Sequence, residues 1–504
     1  MRGNGCNGLL SYFASLVAGM KDLVQYAAIM KTMVDKLAAF PAVFAASMSF
    51  AASASTNAVS LDAGADLRVR QEIMDNVPGT PGGGAQAPVV RGKSKNQMRF
   101  RLRAWGDLKL GEHFRVYTRL TDAPRWNITP QHSRAYEFPD ELLLDNLYLD
   151  ATGLFDDRID FRIGRQDVWE PGTGALFGLP HVFADGTPGD GSRTLYTDMA
   201  RITWHVTDES KFDAFTLYDS DRNRLRWGTG GSRNRSLNGL GGNMPEMDEF
   251  GAGLVWSSNI GGPEAVPYQL FTIFKKNYSY HDTKGAKHPG KDLTVFGARA
   301  MPQLTDELSL ELEGMSQVGE TTDGDFCNGW SGFAGIDWHT VVSETFKPYA
   351  KLSVTYMSGD KDAATQDGGH KAWDPLWARG VENSEMFLYG TLYGVGWWSN
   401  LIHPKLTLGS SFGKYHRLNF SSGPMFAAEN DGLGHADGRR SGDFKGWIHQ
   451  ARYDFPLLIA PEDASGISRF EIFGHLLAEF FNPGDYYDTQ RPAWFVRWQI
   501  DIKF

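Results

Sequence analysis

Trp494–Phe504 reads WFVRWQIDIKF, the last eleven residues of a chain of 504. Trp494, Val496, Trp498, Ile500, Ile502 and Phe504 share one parity, and Arg497, Gln499, Asp501 and Lys503 the other, with Phe495 the single exception. Successive side chains of a strand point to opposite faces, so the stretch has one apolar face and one mostly polar face; a helix would mix them. Two strands fit that description, the last strand of a soluble sandwich and a strand of a membrane barrel. A sandwich strand tolerates polar residues on its inner face and seldom stops flush at the chain end, which favours the barrel.

The same alternation recurs upstream. MRFRLRAWGDLKL sets Met98, Phe100, Leu102, Ala104, Leu108 and Leu110 against Arg99, Arg101, Arg103, Asp107 and Lys109. The turn GEH comes next, and FRVYTRL then sets Phe114, Val116 and Leu120 against Arg115, Tyr117 and Arg119, which makes a hairpin. IDFRIG, ARITWHV, LSLELE and AKLSVTY repeat the rhythm. Strands laid end to end from Ala65 number about 18, and the connections between them alternate long and short. DNVPGTPGGGAQAPVVRGKSKN, Asp122 to Glu141, Trp169 to Thr197 and Ser220 to Met244 are long; GEH, the residues around Phe155, TDES and the turn at Gly261 are short. Long loops on one side and tight turns on the other are the mark of an up-and-down barrel in an outer membrane. The expected fold is therefore all-β, a transmembrane antiparallel β-barrel over residues 65–504.

Composition agrees. A mean hydropathy of -0.36 with 22% charged residues excludes a helical multi-span protein, whereas a barrel places only alternate residues in lipid. The aromatic content of 13% suits rings at the two interfaces. Near the start, Lys31 and Lys36 precede an apolar run from Leu37 to about Ala52, with Ala52-Ser53-Ala54 as a small-x-small cleavage site. Residues 30–54 are thus expected to be a signal peptide, residues 1–29 an extension from an upstream start, and residues 55–64 a short tail. Cys6 leaves with that leader, so Cys327 has no internal disulfide partner. The formal charge of -10 and the export signal disfavour nucleic acid.

FRLRAWGDLKLGEHFRVYTRLTD, PDELLLDNLYLDA, IDFRIGRQDV, FADGTPGDGSRTLYTDMARITW and EFFNPGDYY together resemble the alginate export porin family of Gram-negative bacteria. The resemblance is dense from Met98 to Tyr218 and returns from Phe480 to Tyr487. It implies a monomeric, 18-stranded outer-membrane barrel whose lumen passes an anionic polysaccharide or oligosaccharide.

The residues themselves carry a matching chemistry. Arg99, Arg101, Arg103, Arg115, Arg119, Arg162 and Arg201 share the lumen parity of their strands, and guanidinium groups pair bidentately with carboxylates such as those of a polyuronate. The competing reading pairs these arginines with Asp107, Asp160 and Glu311 in a ladder that only fills a polar interior, as in a general porin. Arg165 is out of phase with Arg162 and needs a bulge to point inward. Asp185, Asp190 and Arg193 mark a candidate constriction loop, which could also offer carboxylate oxygens to Ca²⁺, against simple Asp-Gly turn chemistry. No other cofactor or metal is expected. SGDKDAATQDGGH, with Asp360, Asp362 and Asp367, departs from EF-hand spacing and reads as a solvated external loop.

Trp498, Ile500, Ile502 and Phe504 resemble the assembly signal of outer-membrane proteins, which makes barrel assembly machinery and outer-membrane lipid expected partners. His113 and His205 stand beside no nucleophile motif, and neither G-x-S-x-G nor H-E-x-x-H occurs, so an enzyme is not expected. A secreted β-rich carbohydrate-active protein is the alternative to a channel.

Overall fold

The computed structural model describes residues 59–77, 93–123, 125–129, 142–167, 197–219, 226–227, 248–261, 266–281, 287–363, 369–377, 384–385, 399–434, 442–459, 471–487 and 491–503. Eighteen strands form the wall: β1 (Val59–Val77), β2 (Lys93–Leu110), β3 (Phe114–Asp122), β4 (Leu142–Gly153), β5 (Ile159–Gln166), β6 (Thr197–Thr207), β7 (Ser210–Asp219), β8 (Glu249–Ile260) and β9 (Val266–Asn277) in the first half. The second half is β10 (Lys291–Ala300), β11 (Leu308–Thr321), β12 (Phe326–His339), β13 (Phe346–Met357), β14 (Leu401–Phe412), β15 (His416–Phe426), β16 (Phe444–Ile459), β17 (Glu471–Pro483) and β18 (Ala493–Lys503). Each strand pairs with the next, and the ring closes antiparallel where Leu67 faces Ile502 and Glu72 faces Arg497. Closure leaves no edge strand, which a sheet in lipid requires.

The wall is inside out. Leu270 and Leu352 are 51% and 57% exposed on the outer face, while Arg70 and Glu72 are fully buried on the inner one. Large apolar groups facing out and paired charges facing in suit hydrocarbon outside and a polar lumen within. The terminal strand obeys the pattern: Val496 is exposed, and Arg497 and Gln499 are buried. Phe495, the exception in the alternation, is a buried inward ring with the Arg497 guanidinium 5.9 Å from its centroid. Phe504 lies outside the described residues.

The first strand begins at Val59 rather than Ala65, so part of the stretch expected to be a tail is in strand conformation. The leader expected over residues 1–54 lies outside the described residues. Tight turns such as Gly111–His113 and the short helix Leu154–Asp157 sit on one side, and the long connections on the other. The alternation breaks twice: residues 322–325 are short on the long side, and 460–470 are longer than the other turns.

Arg165 is buried and pairs with Leu147 and Asp198 in ladders that continue without a register shift, so no bulge against either neighbour turns it into phase with Arg162. Gly164 before it has a φ of 127°, which L side chains rarely adopt, and a Cβ there would overlap the Leu147 carbonyl oxygen. The facing strand shifts register at the same level, between Arg119 and Leu120 of β3 and their partners Asn146 and Leu144.

Candidate functional site

The arginines occupy one sector of the lumen. Arg68 and Arg70 on β1, Arg99, Arg101 and Arg103 on β2, Arg115 and Arg119 on β3, Arg162 on β5, Arg201 on β6 and Arg497 on β18 form a basic arc, with Arg165 buried on the alternate parity of β5. Adjacent acids are interleaved with them. Arg99 reaches Glu72 at 3.4 Å, Arg101 reaches Asp66 at 3.0 Å, and Arg115 reaches Asp107 at 2.8 Å. Arg119 binds Asp145 at 3.0 Å and Asp167 at 2.7 Å, Arg162 binds Asp150 at 2.5 Å, and Arg201 binds Asp213 at 3.2 Å. Arg103 is buried on the same face, one alternation step beyond Arg101. Of the acids named from sequence, Asp107 pairs with Arg115 as expected, whereas Asp160 meets His205 and Glu311 meets Arg299 and Lys351. His113 is an exposed turn residue whose Nδ1 lies 2.8 Å from the Thr152 carbonyl oxygen. Asp167, on the loop just beyond β5, has its pKa raised by burial, with Arg119 opposing.

Beyond the arc, on β7 to β10, the inner face carries an apolar patch. Phe215 and Leu217 on β7, Val255 on β8, Phe271 and Ile273 on β9, and Leu293 and Val295 on β10 all point inward and are buried. Against them packs the connection from β13 to β14, whose described parts carry Trp373, Leu376 and Trp377 in the same cluster. Burial of such side chains stabilises by about 1.5–3 kcal/mol each. Gly251 makes the slot: a Cβ there would lie 2.5 Å from Trp377 Cη2.

This connection is a strap tied to both sides of the barrel. On one wall Lys275 Nζ donates to the Leu376 carbonyl at 2.6 Å, Lys291 donates to Asp374 at 3.2 Å, and the Asp374 backbone is held by Gln317. Burial pushes the Asp374 pKa up, but Lys291 and Lys275 outweigh it and hold the carboxyl below its usual range. On the other wall Ser384 Oγ and the Glu385 N–H donate to Glu479 at 2.6 and 2.9 Å, and Arg497 donates to Glu385 through both Nη atoms at 2.8 and 2.9 Å. Strands β9 and β18 are half a circumference apart in an 18-strand ring.

Its base is closed. The Asn400 N–H donates to the Ser358 carbonyl, Trp373 N–H donates to the same oxygen, and Asn400 Nδ2 donates to Asp431. Asp360 is buried and accepts from the backbones of Asp362 and Lys371, which corrects the reading of this stretch as a solvated external loop. Asp185, Asp190, Arg193 and Asp367 lie outside the described residues.

The strap, Arg68, Arg70 and Arg497 escaped the sequence reading. DLRVRQEI carries the same alternation as the other strands, and Arg497 was visible as polar face. The signal for the strap was present too: in FDAFTLYD and YQLFTIFKK both parities are apolar, which a water-filled lumen does not allow but a covered one does.

Residues 173–422 match the sequence model of the alginate export family. The resemblance to the family is borne out, although the match covers the middle of the chain and, of the five sequence words, includes only FADGTPGDGSRTLYTDMARITW. No curated protein sequence matches the chain. Among solved structures the chain is similar to OccK11 (OpdR) of Pseudomonas aeruginosa, at 11% identity over 88% of this chain and 96% of that one, with a TM-score of 0.48. OccK7 (OpdD) of the same organism gives 12%, 88%, 99% and 0.47, and OccAB1 of Acinetobacter baumannii 10%, 88%, 97% and 0.47. The closed register itself establishes the barrel. With its apolar exterior and the alginate export match, the protein is an integral outer-membrane channel.

Proposed function

We propose that this channel conducts an anionic polysaccharide or its fragments, of the alginate-like uronate class, along the basic arc of its lumen. The reading proceeds from the alginate export match over residues 173–422, and the single observation that carries it is the concentration of arginines on β18, β1, β2, β3, β5 and β6, which carry eleven against three, Arg299, Arg417 and Arg452, on β7 to β17. Each guanidinium has five N–H donors, and one carboxylate takes at most two, so an arginine paired within the wall retains donors for a passing carboxylate. Interleaved acids weaken every individual site, which a conducting path needs, since a carboxylate held too tightly would not move on. Direction is set by the proteins that supply or consume the cargo. The same pairing also supports a second reading, a general porin: at least six of the seven arginines singled out from sequence have a carboxylate within 3.4 Å, and paired charges cancel much of their field.

Arg115, Arg162 and Arg201 are the most accessible members of the arc, with 33%, 16% and 25% of their side chains exposed, and serve as the test. In planar bilayers, oligogalacturonate should block current at lower concentration than maltohexaose, and replacing these three arginines with Gln should raise the uronate half-blocking concentration roughly tenfold or more, the effect of one lost ion pair of about 1.4 kcal/mol. Equal block by the neutral sugar would favour the general porin.

A further inference from the structure

We propose that Arg497 is a carboxylate subsite on the path and that Glu385 occupies it as an internal stand-in for the cargo, so that the Glu385 carboxylate is displaced from Arg497 by a carboxylate of the passing polymer. This rests on the uronate reading above. The Arg497 guanidinium is 1% exposed and holds Glu385 by two parallel bonds of 2.8 and 2.9 Å, the fork geometry in which a uronate carboxylate binds arginine. The fork is oriented before any ligand arrives: Nε donates to His475 Nε2 at 3.0 Å, and the Phe495 ring lies 5.9 Å from the guanidinium carbon. Glu72, 4.0 Å away on the neighbouring strand, tempers the charge of the site.

The origin of the carboxylate matters more than its distance. Arg162 and Arg201 pair with Asp150 and Asp213 of adjacent strands, where sheet register fixes both partners. Glu385 comes instead from the strap, which is also held to this wall, among the described residues, by the Ser384 and Glu385 bonds to Glu479. Exchange of one carboxylate for another at Arg497 breaks no covalent bond and leaves the arginine paired throughout, so it avoids the cost of a buried lone charge. A tethered glutamate acts at an effective concentration in the millimolar range, so a single uronate competes poorly while an oligomer presenting many carboxylates competes well. The strap thereby favours polyanions over small anions.

The test uses the full-length protein in planar bilayers with oligogalacturonates of two lengths and maltohexaose as the neutral control. Glu385→Gln should lower the half-blocking concentration of the shorter oligomer about tenfold and narrow the difference between the two lengths. Arg497→Gln should raise it, and the double variant should behave as Arg497→Gln alone. If Glu385→Gln fails to assemble, Glu385→Asp, which retains the charge on a shorter arm, should show a smaller shift of the same sign. Unchanged block in the Glu385 variants, with uronate preference intact in the parent, overturns the stand-in and leaves the channel reading standing. Absence of uronate preference in the parent overturns both.

Discussion

Removal of the last five residues, IDIKF, should abolish the assembled barrel. β18 pairs on one side with β17 and on the other with β1, so the truncation removes Ile500, Asp501, Ile502 and Lys503 from both ladders at once. Leu67 and Arg68 lose the partners that close the ring, and Ile472 and Phe473 are left as an edge. An unpaired backbone group in hydrocarbon costs several kcal/mol, and this truncation exposes a row of them. The expected outcome is loss of the heat-modifiable form on SDS gels and of protein in the outer-membrane fraction. A truncated chain that still migrated as a compact barrel at normal levels would show that β18 is not a closing strand.

Removing the strap should have the opposite character: a large change in conductance with assembly preserved. Met357 faces Leu401 at the ends of β13 and β14, and the Asn400 N–H reaches the Ser358 carbonyl, so a two-residue glycine bridge in place of residues 361–398 can close the hairpin at its existing neck. The wall register does not depend on the loop, and closing a shorter loop costs less entropy. The apolar inner face at Leu217, Val255, Ile273 and Val295 would become wet, which lowers stability but leaves the ladder hydrogen bonds intact. Conductance should rise severalfold, and the difference between block by long and short uronate oligomers should disappear. Unaltered conductance would mean that the strap does not bound the open path.

Much of this architecture was legible in period-2 alternation because a barrel wall has lipid on one side and polar lumen on the other, and that contrast is local. It placed Arg99, Arg101, Arg103, Arg115, Arg119, Arg162 and Arg201 on the inner face, and it gave the strand number and the long-short rhythm of the connections. The features that escaped it depend on contacts distant in sequence. The strap meets Gly251, Lys275 and Lys291 on one wall and Glu479 and Arg497 on the other, and no spacing within residues 358–400 announces those partners. The inner apolar positions of β7 to β10 recorded its presence only as a loss of alternation. Arg165 was recognisable as out of phase with Arg162, and its pairing with Leu147 and Asp198 keeps that parity. The start of β1 was misplaced because SLDAGAD carries small and polar residues on both faces, so its alternation is weak there.

The central claim is that the basic arc makes the pore prefer anions despite the carboxylates interleaved with it. Reversal potential measured across a KCl gradient, with the purified full-length protein in a planar bilayer of neutral lipid, tests it most directly. The account predicts a potential of the sign set by chloride, moving toward zero when Arg115, Arg162 and Arg201 are replaced together by Gln. A potential of the sign set by potassium, or none at all, would contradict it.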